Sequence, residues 1–583
     1  MKRVTIFVVF IILIVSKSFA QSVPADSPSF IIEKAEQGDV ESQFKLGIYY
    51  YSEKKYKDAS MWLLKAAEQD HAAAQSYLGI CYYNGEGVKR DYGQAVYWLR
   101  KGAEKAYPVA LAHLGLCYYN GEGVPQDYNK AIELYKKAAE YGYPEAQFHL
   151  GMCFFEGQVV PQDYDQAFNL FNNAAEQGHI KAQYYLAYCY DNELGVSQNN
   201  TLAVYWYRKA AEQGNMDAQY NMGVCYFTGN GVSKNISLAA DWFEKSAEQG
   251  HMISQYNIGA CYLKGEGRTQ DTDKAFFWIK KAAEQGLVEA QYNLGVYYEE
   301  SNNIHEAVRW YTKAAKQGYA PAQSNLGTCY SEGRGVSRDY KLAAFWFEKA
   351  AEQGNVVAQY NCGTCYMEGQ GVPQDFKKAA SWFRKAAEQG DIEAQYNLGS
   401  CYFLGKGLEK DYQQAAYWSE QAANQGNPEA QNRLGVCYEK GHGVTKDIKL
   451  AIYWYEKAAE QGAVYAQSNL GILFYYGKGV EIDYKKSIYW LRKAAEQGDV
   501  DAQYVMGLCY TYGNGLPKNY NKAFYWYNKA ANQGDSNSQY NLGVCFDNGY
   551  GTKKDLSKAV YWYKKAAAQG NLDAKEQLKR LKK

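Results

Sequence analysis

The chain repeats itself with a phase that holds over almost its whole length, and this periodicity limits the fold more than any single motif. The marker is a glycine that closes each unit, as in Lys-Ala-Ala-Glu-Gln-Gly286. It falls at Gly38, Gly142, Gly178, Gly214, Gly250, Gly286, Gly318, Gly354, Gly390, Gly426, Gly462, Gly498, Gly534 and Gly570, with Asp70 and Ala106 in the same slot. Thirteen intervals of 36 residues and two of 32 separate Gly38 from Gly570. Repeats of this length are supersecondary units that bury their apolar faces only against one another, and they build a solenoid rather than an enzyme core.

Each unit reads as two helices. In Asp217-Ala-Gln-Tyr-Asn-Met-Gly223-Val-Cys-Tyr226 small and apolar residues recur at helical spacing, and the turn Gly229-Asn-Gly231-Val232 follows. The second helix opens at a capping residue such as Asp339, runs through Phe345-Trp346-Phe347 and ends at Gly354, read as its C-cap. Ala350 and Ala351 let neighbouring helices approach closely. The segment from Ser27 to Gly38 looks like a lone second helix, and Asn571 to Lys583 like a lone first helix. In the latter Leu578 and Leu581 face the array and the basic residues face water, as a solubilising cap requires. The expected organisation is a capping half-repeat at 27–38, repeats 1–7 at 39–286, a short repeat 8 at 287–318, repeats 9–15 at 319–570 and a capping helix at 571–583. The shortened connector of repeat 8 is expected to change superhelical curvature locally.

The recurring Ala-Gln-Tyr-Asn-Leu-Gly-x-x-Tyr, Gly-x-Gly-Val, Asp-Tyr-x-x-Ala, Tyr-Trp-Tyr and Lys-Ala-Ala-Glu-Gln-Gly resemble the Sel-one-like repeat (SLR) family, relatives of the tetratricopeptide proteins. The resemblance covers everything from about Phe30 onward. It implies an all-α, right-handed α-solenoid of about fifteen helix-turn-helix repeats that serves as an adaptor or scaffold for other proteins. It also implies an enzyme alternative, because some secreted, cysteine-rich members are linked to β-lactam binding or hydrolysis.

The first residues differ in kind. Lys2 and Arg3 form a basic start, Val4 to Val15 is apolar apart from Thr5, and Ser18-Phe19-Ala20 is a small-x-small cleavage site. Residues 1–20 are read as a secretory signal peptide and 21–26 as a linker, which makes the expected location periplasmic, cell-surface or secreted. No other stretch approaches a spanning length, so no stable membrane insertion of the mature chain is expected. The 63 basic and 63 acidic residues become 60 and 63 once Lys2, Arg3 and Lys17 leave with the signal. A nucleic-acid partner would call for a basic excess or stripe, and none is present.

Twelve of the thirteen cysteines occupy one slot, two residues after the first-helix Gly or its Ala187 equivalent. Equivalent positions on stacked helices lie about 8 to 10 Å apart, beyond the roughly 7 Å between Cα atoms that a disulfide allows. They are read as small buried apolar residues. In the two short repeats Tyr49 and Tyr297 take this slot, and a larger side chain is expected to fill the gap that the missing loop leaves. Cys362 and Cys365 spell C-x-x-C, but Cys362 sits inside a first helix rather than at an exposed helix start. All thirteen tryptophans share one second-helix phase, from Trp62 to Trp562, which core packing explains.

The search for catalysis yields little. Seven histidines are scattered with no H-E-x-x-H and no close pair suited to one metal, and there is neither G-x-S-x-G nor a Walker loop, so no catalytic residue, metal site or cofactor is assigned. Ser52-Glu-Lys-Lys55 spells S-x-x-K without an S-D-N or K-T-G partner.

The binding reading has a better candidate. Two residues before the first-helix Gly stand Lys45, Tyr77, His113, His149 and Tyr185, then Asn221, Asn257, Asn293, Asn325, Asn361 and Asn397, then Arg433, Asn469, Val505 and Asn541. In tetratricopeptide relatives this slot lines the concave surface, and an amide carries both a donor and an acceptor for the backbone of an extended peptide. Specificity would then come from the preceding Tyr220, Tyr256, Tyr292, Tyr360 and Tyr396, since aromatic rings give large contact area at small entropic cost. Alternatively the asparagines bond to a neighbouring repeat's backbone and the tyrosines belong to the core. The expected partner is a protein or peptide, with a glycan or wall polymer as the other possibility.

Overall fold

The computed structural model describes residues 28–581, with side chains from 31 onward; the expected signal peptide at 1–20 and linker at 21–26 lie outside them. The described residues are all-α: 32 helices, of 13 residues each except the terminal pair of nine, and no strand. They form two compact units that divide between Ala290 and Gln291, inside the first helix of the short repeat, Val288–Glu300. Each unit is an α-solenoid of stacked helical hairpins. Their cores are continuous from repeat to repeat: Phe148, Phe171, Leu186, Tyr207 and Met222 belong to one cluster spanning repeats 4–6, and Leu491, Met506, Tyr527, Leu542 and Tyr563 to another spanning repeats 13–15.

The caps follow the sequence closely. The Asp339 carboxylate accepts from the N–H groups of Lys341 and Leu342, satisfying donors that the first turn leaves orphaned. Gly354 lies one residue beyond its expected place. Gln353 is the cap, and Gly354 is the left-handed residue outside it, with φ of 90°. The reason is general: a Schellman end puts the positive-φ residue after the cap.

The Gly-x-Gly connector has two tasks. Gly229, at φ 84°, ends the first helix Met216–Thr228, its N–H donating to the Cys225 carbonyl. Gly231, at φ 71°, presses on the preceding repeat, where a Cβ would stand 2.2 Å from the Asn200 carbonyl oxygen. All thirteen cysteines are buried and unpaired, and burial pushes their thiols up, Cys153 and Cys365 to about 11. The short repeats correct one expectation. Tyr49 does not fill the space of the missing loop but is 54% exposed, and Tyr297 is only half-buried.

Nine tryptophans are buried and four half-buried, so the shared phase is a core phase. Trp98 meets the exposed Tyr97 edge-on at 5.0 Å, and the Lys101 ammonium lies over both rings, 4.8 Å from Tyr97 and 5.1 Å from Trp98. The terminal helix Leu572–Arg580 packs Leu578 onto the last repeat, with Leu581 just beyond it doing the same. Among its basic residues Arg580 departs from the expectation of facing water only, since it pairs with the buried Asp547.

One interaction threads the hairpins together. The glutamine closing repeat 6, Gln249, donates to Gln219 of the same repeat's first helix at 2.7 Å, and Gln219 donates to the Ala211 carbonyl of repeat 5 at 3.1 Å. The closing-glutamine bond recurs in thirteen of the fifteen repeats, so it is a rule of the array and not a local accident. The exceptions are repeats 2 and 3. Repeat 2 ends in Lys105-Ala106, which leaves the buried Gln75 Oε1 without a partner and holds Ala106 at φ 55°. Repeat 3 replaces both glutamines together, with Leu111 and Tyr141.

Gln219→Leu removes two hydrogen bonds, to the Ala211 carbonyl and from Gln249, and is expected to cost about 1–3 kcal/mol. The double change Lys105→Gln and Ala106→Gly should act oppositely, supplying a donor to Gln75 and relieving a left-handed alanine, for a net gain of about 1 kcal/mol after the surface Lys105–Asp70 pair is lost. Urea unfolding followed by circular dichroism measures both.

Candidate functional site

The side chains that face away from the second helices are those of the first helices, and in repeats 4–6 they frame a groove of about 620 Å³. Its floor and walls come from the first helices Pro144–Glu156 (Phe148, His149, Met152, Glu156) and Ile180–Asn192 (Lys181, Tyr184, Tyr185) and from the start of Met216–Thr228 (Asp217), closed on one side by Tyr119 and Tyr135 of repeat 3. Phe148 and Tyr185 are 5.8 Å apart between ring centres, and Tyr185 also meets Phe155 at 5.5 Å and Phe171 at 5.4 Å. The wall is therefore largely aromatic.

Its polar groups are few and placed at fixed points. The Tyr135 ring stacks on His149 at 5.3 Å, and its hydroxyl is buried with no hydrogen-bond partner among the described residues. Burial holds that phenol neutral, well above its usual titration range. Glu156 and Asp217 carry negative charge into the groove, and after burial their fields are what raise the Tyr185 phenol. Asp217 lies 4.0 Å from His251, and Lys181 lies over the Phe148 ring at 5.8 Å.

Beside the groove the structure joins two histidines that look scattered in sequence. His179 caps its helix by accepting the Ala182 N–H at Nδ1, which leaves Nε2 to donate to Glu145 at 3.0 Å. His149, one turn along from Glu145, reaches the other carboxylate oxygen at 3.2 Å. Burial alone would raise the Glu145 carboxyl, but these two hydrogen bonds and the imidazole charges hold it well below the usual carboxylate range. Among the described residues no group of three His, Cys, Asp or Glu is arranged to hold a metal.

The eight asparagines of the predicted ladder, Asn221, Asn257, Asn293, Asn325, Asn361, Asn397, Asn469 and Asn541, are all half-buried on first helices. Three of them reach back to a side chain of the preceding repeat: Asn221 to Tyr184, Asn325 to Tyr311, and Asn469 to Asn432 at 3.1 Å. The partner is a side chain and not the backbone. Of the tyrosines, Tyr220 packs on Phe243 and His251, Tyr292 on Tyr311 and Tyr319, and Tyr360 on Phe383, while Tyr256 is half-buried. Tyr396 lies under the Arg433 guanidinium, 4.4 Å from its ring centre. The groove itself opens where the ladder slot carries His149 and Tyr185, just ahead of the first asparagine. The clearest residue signal of this face missed in sequence was the histidine at a helix start, His179, one repeat after an acidic Glu145.

Ser52 and Lys55, the S-x-x-K pair, do not share a helix. Ser52 ends Val40–Ser52 with its hydroxyl on the Tyr49 carbonyl at 2.7 Å, and Lys55 is the N-cap of the next helix.

Stacked helical hairpins with an outward aromatic groove define a repeat protein built to present a surface. The Sel1 repeat family model matches fifteen successive segments, from 40–71 to 536–571. A protective antigen of uropathogenic Escherichia coli displaying an SLR fold is similar in structure, with 37% identity and a TM-score of 0.66 over 75% of this chain and 95% of its own. A Sel1 repeat protein from Oxalobacter formigenes shares 34% identity, covering 55% of this chain and 93% of its own, at a TM-score of 0.43. No curated protein matches the sequence. The chain belongs to the Sel1 repeat family, whose members are generally non-catalytic protein-interaction scaffolds.

Because the Glu145 carboxyl is depressed in the folded protein, its contribution is fully present above the ordinary carboxylate range and is lost as pH falls through the folded value. Glu145→Gln is expected to destabilise the protein at neutral pH and to lose that disadvantage in strong acid, read as converging unfolding midpoints across a pH series.

Proposed function

We propose that this chain is an exported, non-catalytic scaffold that holds an extended peptide segment of a partner protein against its first-helix face. The observation that carries the reading is the groove of repeats 4–6, because a cleft lined by consecutive first helices gives an extended chain both an aromatic wall and spaced polar groups. The asparagine slots continue the same phase through the later repeats and supply amides that pair with peptide groups whatever the sequence. Export rests on the basic, apolar and small-residue pattern of residues 1–20.

Affinity capture with residues 21–583 tests the scaffold reading. A partner bound by the wild type is expected to be lost by Tyr184→Ser with Tyr185→Ser, and weakened by Asn257→Ala, Asn293→Ala, Asn325→Ala and Asn361→Ala together, while circular dichroism shows each variant folded. Equal capture by all three proteins would move the binding surface to the second helices or the loops. Chromogenic β-lactams are expected to show no turnover, since the Ser52 hydroxyl is committed to a backbone carbonyl and Lys55 lies beyond the helix end. Turnover abolished by Ser52→Ala would contradict the non-catalytic reading.

A further inference from the structure

We propose that the groove of repeats 4–6 is a guanidinium site that takes an arginine side chain of the bound peptide. The inference rests on the scaffold reading above and adds the chemistry of the residue that anchors the partner.

The chain contains a version of this site with its cation built in. Arg433 stands in the ladder slot of repeat 12, half-buried, its guanidinium 4.4 Å from the ring centre of Tyr396 and 5.9 Å from that of Phe403. It donates to the Tyr396 carbonyl at 3.3 Å and to the Ser400 hydroxyl. In the repeat phase Tyr396 and Phe403 correspond to Phe148 and Phe155, and Arg433 to Tyr185. The first-helix framework of this protein therefore accommodates a planar cation on its aromatic faces. In repeats 4–6 the Tyr185 ring takes the place of Arg433 against Phe148 and Phe155, at 5.8 and 5.5 Å, and the groove opens beside these rings with Lys181 over the Phe148 ring at 5.8 Å.

Three features give the groove a preference of sign. The faces of Tyr119, Phe148, Tyr184 and Tyr185 present negative quadrupoles, which attract guanidinium more readily than carboxylate. Glu156 and Asp217 enter from separate first helices and offer acceptors to the N–H fork of arginine. The buried Tyr135 hydroxyl, without a partner, has a free acceptor oxygen at the inner wall, matching a group with five donors and no acceptor. An acidic side chain would meet the two carboxylates, and the lining cation Lys181 already lies over the Phe148 ring. Asp217 also faces His251 at 4.0 Å, so its share of the pairing is divided.

Saturation-transfer difference NMR on residues 21–583 tests this with Nα-acetyl-arginine amide, against Nα-acetyl-citrulline amide, which has the same length and no charge. Saturation is expected to reach the arginine Cγ and Cδ protons and to be weak for citrulline. Glu156→Gln with Asp217→Asn, both at exposed positions that leave packing intact, should weaken arginine binding about tenfold. Tyr135→Phe, which keeps the ring, should weaken it less and leave stability unchanged. Equal transfer to citrulline, or an arginine signal indifferent to the carboxylate variant, would overturn the proposal. Partner capture that depends on Tyr184 and Tyr185 but comes with no arginine signal overturns this inference alone and leaves the scaffold reading standing.

Discussion

The array depends on a buried glutamine relay. In most repeats the closing glutamine donates to the first-helix glutamine of its own hairpin, and that glutamine donates to an alanine carbonyl of the repeat before, as Gln461, Gln431 and Ala423 do. The carbonyl lies in the last turn of a second helix, where it accepts the N–H of the closing glycine, Gly426 on Ala423 at 3.0 Å, and the glutamine adds a second donor from the next hairpin. The relay ties hairpin to hairpin at a fixed register. Apolar packing alone would tolerate sliding between faces so rich in alanine; directional hydrogen bonds between buried amides do not.

This arrangement divides the work between the two helices. Second helices carry the buried alanines and tryptophans and are fixed by packing, and the small first-helix residues, such as Gly223 beneath Phe243, are equally constrained. The remaining first-helix positions are less constrained, and one slot holds histidine, tyrosine, asparagine, arginine and valine in different repeats, from the buried Val505 to the half-buried asparagines. A surface with that freedom can vary its chemistry along its length. In repeats 4–6 it gathers aromatic rings and two carboxylates around a groove; in repeat 12 it fills the equivalent framework with its own arginine.

Much of the fold was legible because it is written in short-range signals. The helix ends are visible in Asp339 and Gly354, the buried cysteines in their single slot, and the core role of tryptophan in its constant phase. The relay was harder to read, since Gln219 and Gln249 are each plain in their motifs but meet across a hairpin 30 residues long. Tyr49 misled for a related reason: its size suggested filling, whereas what decides its placement is the absence of a loop above it. At the candidate site the sequence pointed to a helical face but not to where a groove opens along it. The His149, Glu145 and His179 contact and the unpartnered Tyr135 hydroxyl depend on three repeats coming together, and no single-repeat pattern announces that.

The measurement that tests the relay most directly is native-state hydrogen exchange read peptide by peptide by mass spectrometry. Among the described residues the closing-glutamine bond is missing at repeats 2 and 3, so their second helices, Tyr92–Glu104 and Tyr128–Glu140, are expected to exchange faster than those of repeats 13 and 14, which stand equally far from the other end of the array. Protection that is uniform along the array, or weakest in a stretch where the relay is intact, would contradict the account.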